Sequence, residues 1–352
     1  MTSDLEILCE RRGTAGVVTL NRPQALNAVT HDMVRSLWHW LERWARDPAV
    51  TRIVVTASGQ RAFSAGGDIR ILHDLGRSGR QEEALPFWRD EYRLNALIKS
   101  YPKPYVALID GIVMGGGVGV SIHGSHRVAG DRFVFAMPEV GIGFFPDVGA
   151  TFVLPRLPGE IGTFCALTGD RLGIADAVQA GVATHHIPSR HFDDVLEALC
   201  GSDAVDAVLA GFAVAPGQGP ILARRAAIDR LFAGDQVGAI LARLDHDANE
   251  AGPDAQWAKT TAAAINAKSP TSLKIALAQM RRGKAWSFAQ CMKAEFRIVS
   301  RIVYGHDFYE GVRAVIIDKD NRPRWRPATL AEVVDAEVER YLAPLAVELA
   351  LP

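Results

Sequence analysis

The stretch Val106-Ala-Leu-Ile-Asp110-Gly111-Ile-Val-Met114-Gly-Gly-Gly-Val-Gly119 decides how this chain folds. Its opening apolar run has the length of one buried strand, Gly111 marks a turn, and the later glycines lead into a helix start. The wider apolar run from Tyr105 to Ile122 is as long as a membrane span, but Asp110 and five glycines interrupt it. Strand, turn and helix start explain it better than a lipid-facing helix. A second segment has the same grammar: Ile53-Val-Val-Thr56 leads through a polar turn to Phe63-Ser-Ala-Gly-Gly-Asp-Ile69. The two could place equivalent glycine turns side by side.

Working outward, Val17–Leu20 is a short β-branched run that ends at the turn signal Asn21-Arg-Pro. Thr30 is placed to cap a helix whose Val34, Leu37, Trp38, Leu41 and Trp44 share one stripe, with Pro48 beyond its end. Phe133-Val-Phe135 reads as a further short strand. After about Gly201 the chain becomes rich in Ala, Leu and Arg at helical spacing. The pattern gives an α/β core over residues 1–200 and a mainly helical C-terminal region over 201–352.

Composition narrows the function classes. A net charge of −1 across 352 residues gives no electrostatic footprint for nucleic acid or an anionic membrane. Cys9, Cys165, Cys200 and Cys291 are far apart and form no C-x-x-C pair, so neither a disulfide framework nor a zinc ribbon is expected. The histidine pairs His123/His126 and His185/His186 lack partners at metal-ligand spacing, and no metal site is expected. The N-terminus Met1-Thr-Ser-Asp-Leu-Glu has neither a basic nor an apolar signal region, so a cytoplasmic location is expected.

Glycine turns at helix starts leave N–H groups free and let a ligand approach the main chain. One such N–H from each turn could converge on a single oxygen, as stabilising an enolate or a tetrahedral oxyanion requires. Tight strand–helix packing is the competing explanation. Neither G-x-G-x-x-G, nor a P-loop, nor G-x-S-x-G is present, which removes dinucleotide, P-loop and serine-hydrolase readings.

The sharpest chemical feature is Ala136-Met-Pro-Glu139-Val-Gly-Ile-Gly-Phe-Phe-Pro-Asp147-Val-Gly149, two acids separated only by apolar residues and glycine. Burial among such neighbours raises a carboxyl pKa and suits general acid–base work. Alternatively, Asp147 could simply cap a helix beginning at Val148.

Together, Phe63-Ser-Ala-Gly-Gly-Asp-Ile-Arg70 and Asp110-Gly-Ile-Val-Met-Gly-Gly-Gly-Val-Gly119 resemble the crotonase (enoyl-CoA hydratase/isomerase) superfamily. The resemblance implies a crotonase-like spiral of ββα units with a helical C-terminal region, and an acyl-CoA substrate. It implies an oxyanion hole from the backbone N–H groups of Gly67 and Gly116, with Ser64, Ala65, Gly66 and Asp68 around the substrate. CoA is then part of the substrate, and no separate cofactor is implied. Trimers or hexamers are common assemblies in the superfamily; a monomer is the alternative for a chain with this C-terminal extension.

Phe145-Pro-Asp-Val-Gly149, Leu154-Pro-Arg-Leu157, Ser269-Pro-Thr-Ser-Leu-Lys-Ile275 and His306-Asp-Phe-Tyr-Glu-Gly-Val-Arg313 resemble the 3-hydroxyisobutyryl-CoA hydrolase branch. That likeness implies hydrolysis of a short hydroxyacyl-CoA of the valine-degradation type, with Glu139 and Asp147 catalytic and Glu91 contacting substrate. By itself Glu91 reads as a surface helix charge. Where two-glutamate hydratases carry their first catalytic acid, this chain has Gly119. A one-base hydratase or isomerase, and a non-catalytic acyl-CoA-binding protein, are the alternatives.

Overall fold

The computed structural model describes residues 5–352, so most of the N-terminal segment read above lies outside the described residues. In chain order the strands are β1 Ile7–Arg12, β2 Ala15–Leu20, β3 Arg52–Ala57, β4 Ala62–Ser64, β5 Tyr105–Ile109, β6 Ile112–Met114, β7 His126–Ala129, β8 Val134–Ala136 and β9 His185–His186. A six-stranded sheet runs β1-β2-β3-β5-β7-β9, antiparallel only at β1/β2. β4, β6 and β8 form a second, parallel sheet.

The chain therefore passes from the larger sheet to the smaller three times, from β3 to β4, β5 to β6 and β7 to β8, and after each of these passages it enters a helical turn. The helices after the first two crossings are α2 (Ile69–Arg77) and α4 (Gly116–Gly119), with α1 at His31–Arg46 and α3 at Gln81–Lys99. The third crossing leads to a single 3₁₀ turn at Glu139–Ile142. This is the expected spiral of ββα units. The sequence reading of strand, turn and helix missed β4 and β6, because three residues are too few to show a strand period. β1, β7 and β9 escaped for related reasons: they are charged, partly polar, or only two residues long.

Local signals hold where they are strong. Thr30 caps α1 by accepting from the Met33 N–H, and Val34, Leu37, Leu41 and Trp44 are buried. Trp38 lies at the edge of the stripe and is only half-buried. Beyond Ser189 every regular element of the described chain is a helix. The helices Pro270–Gly283 and Phe288–Ile302 pack back against the first half, and one apolar cluster runs from Ile7 to Leu349. The four cysteines are free thiols, three of them buried.

Candidate active site

The carboxyl ends of β4, β6 and β8 lie side by side, because Ser64 pairs with Val113, and Met114 with Ala136. The residues that follow these three ends are Gly67, Gly116 and Glu139. Ligand crevices in α/β folds form where parallel strands end, since loops and helix N-termini converge there. Here the loops enclose a cavity of about 380 Å³ lined by Ala65, Gly66, Gly67, Gly116, Glu91, Glu139 and Asp147, among others. Trp88 and Phe144, stacked at 5.8 Å, supply an apolar wall.

The two glycine turns meet in the floor. Gly67 bridges Val29 in parallel: the Val29 N–H donates to the Gly66 carbonyl and the Asp68 N–H donates to the Val29 carbonyl. That ladder leaves the Gly67 N–H directed away from Val29. Gly115 has φ 45 and ψ −123, a conformation open only to glycine, and it turns the chain into α4. A methyl group on Gly116 would stand 3.1 Å from the Gly67 nitrogen and 2.7 Å from Glu91 Oε1. The same place on Gly115 would be 3.3 Å from Glu139 Oε1. Two main-chain turns and two carboxyl groups therefore share one small volume.

The acids are buried: Glu91 is 2% exposed, Glu139 6% and Asp147 5%. Among the described residues, Glu139 Oε2 and Glu91 Oε1 have no hydrogen-bond partner. Asp147 Oδ2 accepts from the Tyr92 hydroxyl at 2.8 Å. Burial, then the negative charges of Asp147 and Glu295, holds Glu91 and Glu139 well above the carboxylate range. Burial pushes Asp147 up to about 7, with the Tyr92 hydrogen bond acting the other way. Carboxyl groups this close titrate as a set. Chemically, the cavity offers N–H donors for an oxygen and carboxyl groups for attack or proton transfer.

Glu91, which by itself reads as a surface charge, is turned into the cavity by α3, where the resemblance puts a substrate contact. Other sequence readings need correction here. Asp147 caps no helix: the next helix is Ala150–Val153, and its N-cap is Gly149. Ser64 is buried within β4 and does not line the cavity, and Asp68 points to Arg22 at 3.0 Å. His123 is a buried core residue whose Nε2 lies 2.7 Å from the Val148 carbonyl, and burial pushes its pKa down to about 4.

Gly119, the position at which a hydratase carries an acid, has no room for a side chain. A methyl group there would meet Asn95 Nδ2 at 2.8 Å and Val148 Cβ at 2.9 Å.

Tyr92, Lys268 and Glu295 were missed from sequence. Glu295 left a signal, an acid in register with the apolar stripe Cys291, Met292, Ile298 and Val299. Lys268 left none, being brought to the cavity from 129 positions beyond Glu139.

The sequence profile described as enoyl-CoA hydratase/isomerase matches residues 15–342. The chain is similar to the mitochondrial 3-hydroxyisobutyryl-CoA hydrolase of Rattus norvegicus, 44% identical over 98% of this chain and 90% of the relative. The Homo sapiens protein of the same name is 41% identical over 97% and 89%. Two solved structures are equally similar: a carnitinyl-CoA dehydratase from Mycobacterium thermoresistibile (42% identity, TM-score 0.93, 99% of each chain) and an enoyl-CoA hydratase from Rhodobacter sphaeroides 2.4.1 (40%, TM-score 0.91, 99% and 100%).

Proposed function

The chain belongs to the enoyl-CoA hydratase/isomerase family, and on that premise we infer that it hydrolyses a short hydroxyacyl-CoA thioester, 3-hydroxyisobutyryl-CoA, to 3-hydroxyisobutyrate and CoA. The observation that carries the reading is the acid set. Glu139 and Asp147 face two glycine turns across one cavity, while the position of a hydratase's other acid, Gly119, is sterically closed. Hydrolase relatives matching over nearly the whole chain support the same reading.

We assign the N–H groups of Gly67 and Gly116 to the thioester oxygen, where preorganised donors stabilise the charge that develops on attack. In one route Glu139 attacks the carbonyl carbon, the C–S bond breaks and CoA leaves as a thiolate. Water then adds to the resulting mixed anhydride, releasing the acid and restoring Glu139. In the other route Glu139 removes a proton from water, which attacks the same carbon directly. Asp147 shares proton transfer in either route. Glu91, beside Gly116, is placed to meet the substrate hydroxyl, with Ala65 and Gly66 along the thioester arm. Lys268, the one cation lining the cavity among the described residues, has no acid partner there and suits a CoA phosphate. No cofactor is required by this chemistry.

The dehydratase and hydratase names of the two solved structures favour a second reading, a lyase of the same family. A panel of acyl-CoAs assayed for free thiol and for enoyl absorbance separates the two. Thiol release from 3-hydroxyisobutyryl-CoA that disappears in Glu139→Gln supports the hydrolase, whereas hydration of crotonyl-CoA without thiol release sinks it. Binding of the thioester with neither reaction would leave a non-catalytic acyl-CoA-binding protein.

A role in valine degradation follows from that substrate. The relatives' names place those proteins in mitochondria, so the cytoplasmic expectation is a separate proposal, tested by cell fractionation. Among the described residues no helix is long and apolar enough to cross a membrane.

A further inference from the structure

Val148 directly follows Asp147 and stands at φ 51, in the left-handed region that a β-branched residue avoids; Gly149 continues at φ 89. Such a turn persists only where its surroundings over-determine it. Three side chains from other elements do so. His123 Nε2 lies 2.7 Å from the Val148 carbonyl, which can only accept, so this nitrogen carries the hydrogen. Gln279, on the helix Pro270–Gly283, donates to the Pro146 carbonyl at 3.0 Å and to Thr151 Oγ1 at 2.6 Å. Glu295, on the helix Phe288–Ile302, accepts from the Gly149 N–H at 2.8 Å and the Thr151 N–H at 2.9 Å.

Glu295 is 0% exposed and does not line the cavity, so it does not touch what the cavity holds. A buried carboxyl on an otherwise apolar helix stripe is costly, and a hydrophobic residue of similar size is commonly at least as stable. Its gain is geometric. Both oxygens accept from N–H groups two residues apart, so one side chain fixes the main chain at two points.

We propose that Glu295 is a positioning residue: its two hydrogen bonds lock the turn 147–151 and thereby aim the Asp147 carboxylate into the cavity. The proposal rests on the thioester-hydrolase reading for the reaction that measures it.

Glu295→Gln keeps the shape but sets an NH₂ group against one of the two N–H donors. It is expected to lower kcat for thiol release about tenfold or more while KM stays within about twofold, the pattern of a lost transition-state contact. Adding Val148→Gly, which takes a positive φ without strain, is expected to recover part of that loss. A fall in thermal stability with kcat unchanged would assign Glu295 to stability alone and overturn the proposal. So would a kcat loss that Val148→Gly does not relieve. If Glu295→Gln does not fold, Glu295→Asp, which keeps the carboxyl but reaches less far, is read by the same split. Wild-type thiol release tests the hydrolase reading separately. Should wild type release none, each variant is compared with wild type on whichever CoA ester it converts.

Discussion

The Tyr92 hydroxyl, buried behind the cavity wall, donates at 2.8 Å to Oδ2 of Asp147, which lines the cavity. The bond stabilises the charged carboxylate and so opposes the desolvation that pushes Asp147 up to about 7. A carboxylate needed in its ionised form is lost as pH falls through its pKa, so kcat/KM of the wild type is expected to drop below about pH 7. In Tyr92→Phe the same limb should move to higher pH, because the group that lowers the Asp147 pKa is gone. Turnover at neutral pH should fall by about tenfold, in the range of one lost hydrogen bond to a charged group. A pH–rate profile of both proteins checks this, and a limb that moves to lower pH contradicts it.

Asp147 also opposes stability. Its carboxyl is raised in the folded protein, so between about pH 4 and 7 the native state holds a proton that the unfolded chain releases, and stability falls as pH rises through that window. Above pH 7 the cost is fully present. At about 1.4 kcal/mol per pH unit it amounts to at most about 4 kcal/mol. Asp147→Asn retains an acceptor for Tyr92 without a charge. Thermal melts at pH 8 should show it more stable than wild type, with the difference shrinking toward pH 4, while thiol release collapses.

Gly119 cannot be restored to an acid. Its added Cβ would press on Asn95 and Val148, and overpacking of a filled interior typically costs about 1–3 kcal/mol even before the longer chain is accommodated. Gly119→Glu should therefore melt several degrees lower and acquire no crotonyl-CoA hydration. A folded Gly119→Glu protein with new hydratase activity would show that the position is open after all.

Lys268 separates recognition of CoA from recognition of the acyl group. Burial lowers its pKa from the usual lysine value, yet no carboxylate lies within ion-pair distance of it among the described residues. With Lys268→Met, KM for the CoA thioester should rise about tenfold, as expected for one charge-assisted contact. KM for the matching pantetheine thioester, which has no phosphate, should be unchanged. Equal rises with both substrates would mean that Lys268 shapes the cavity instead.

The sequence by itself determined the repeating grammar and its chemistry. Gly67 and Gly116 stand where short strands run into helix starts, and the apolar span from Glu139 to Asp147 marked carboxyls that would be buried. These are local properties, written in residue type and spacing within a few turns of chain, and resemblance to the crotonase superfamily joined them into one expectation. The tertiary structure decided what spacing cannot carry. It aligned the ends of β4, β6 and β8, so that residues from three crossings meet in one cavity. It turned Glu91 inward, drew Asp68 aside to Arg22, and filled the place of a second hydratase acid with Asn95 and Val148. It also brought Glu295 from 148 positions away to hold the turn beside Asp147. Which acids share a volume, and what holds them there, depends on contacts between distant segments, and no local pattern in the chain encodes those.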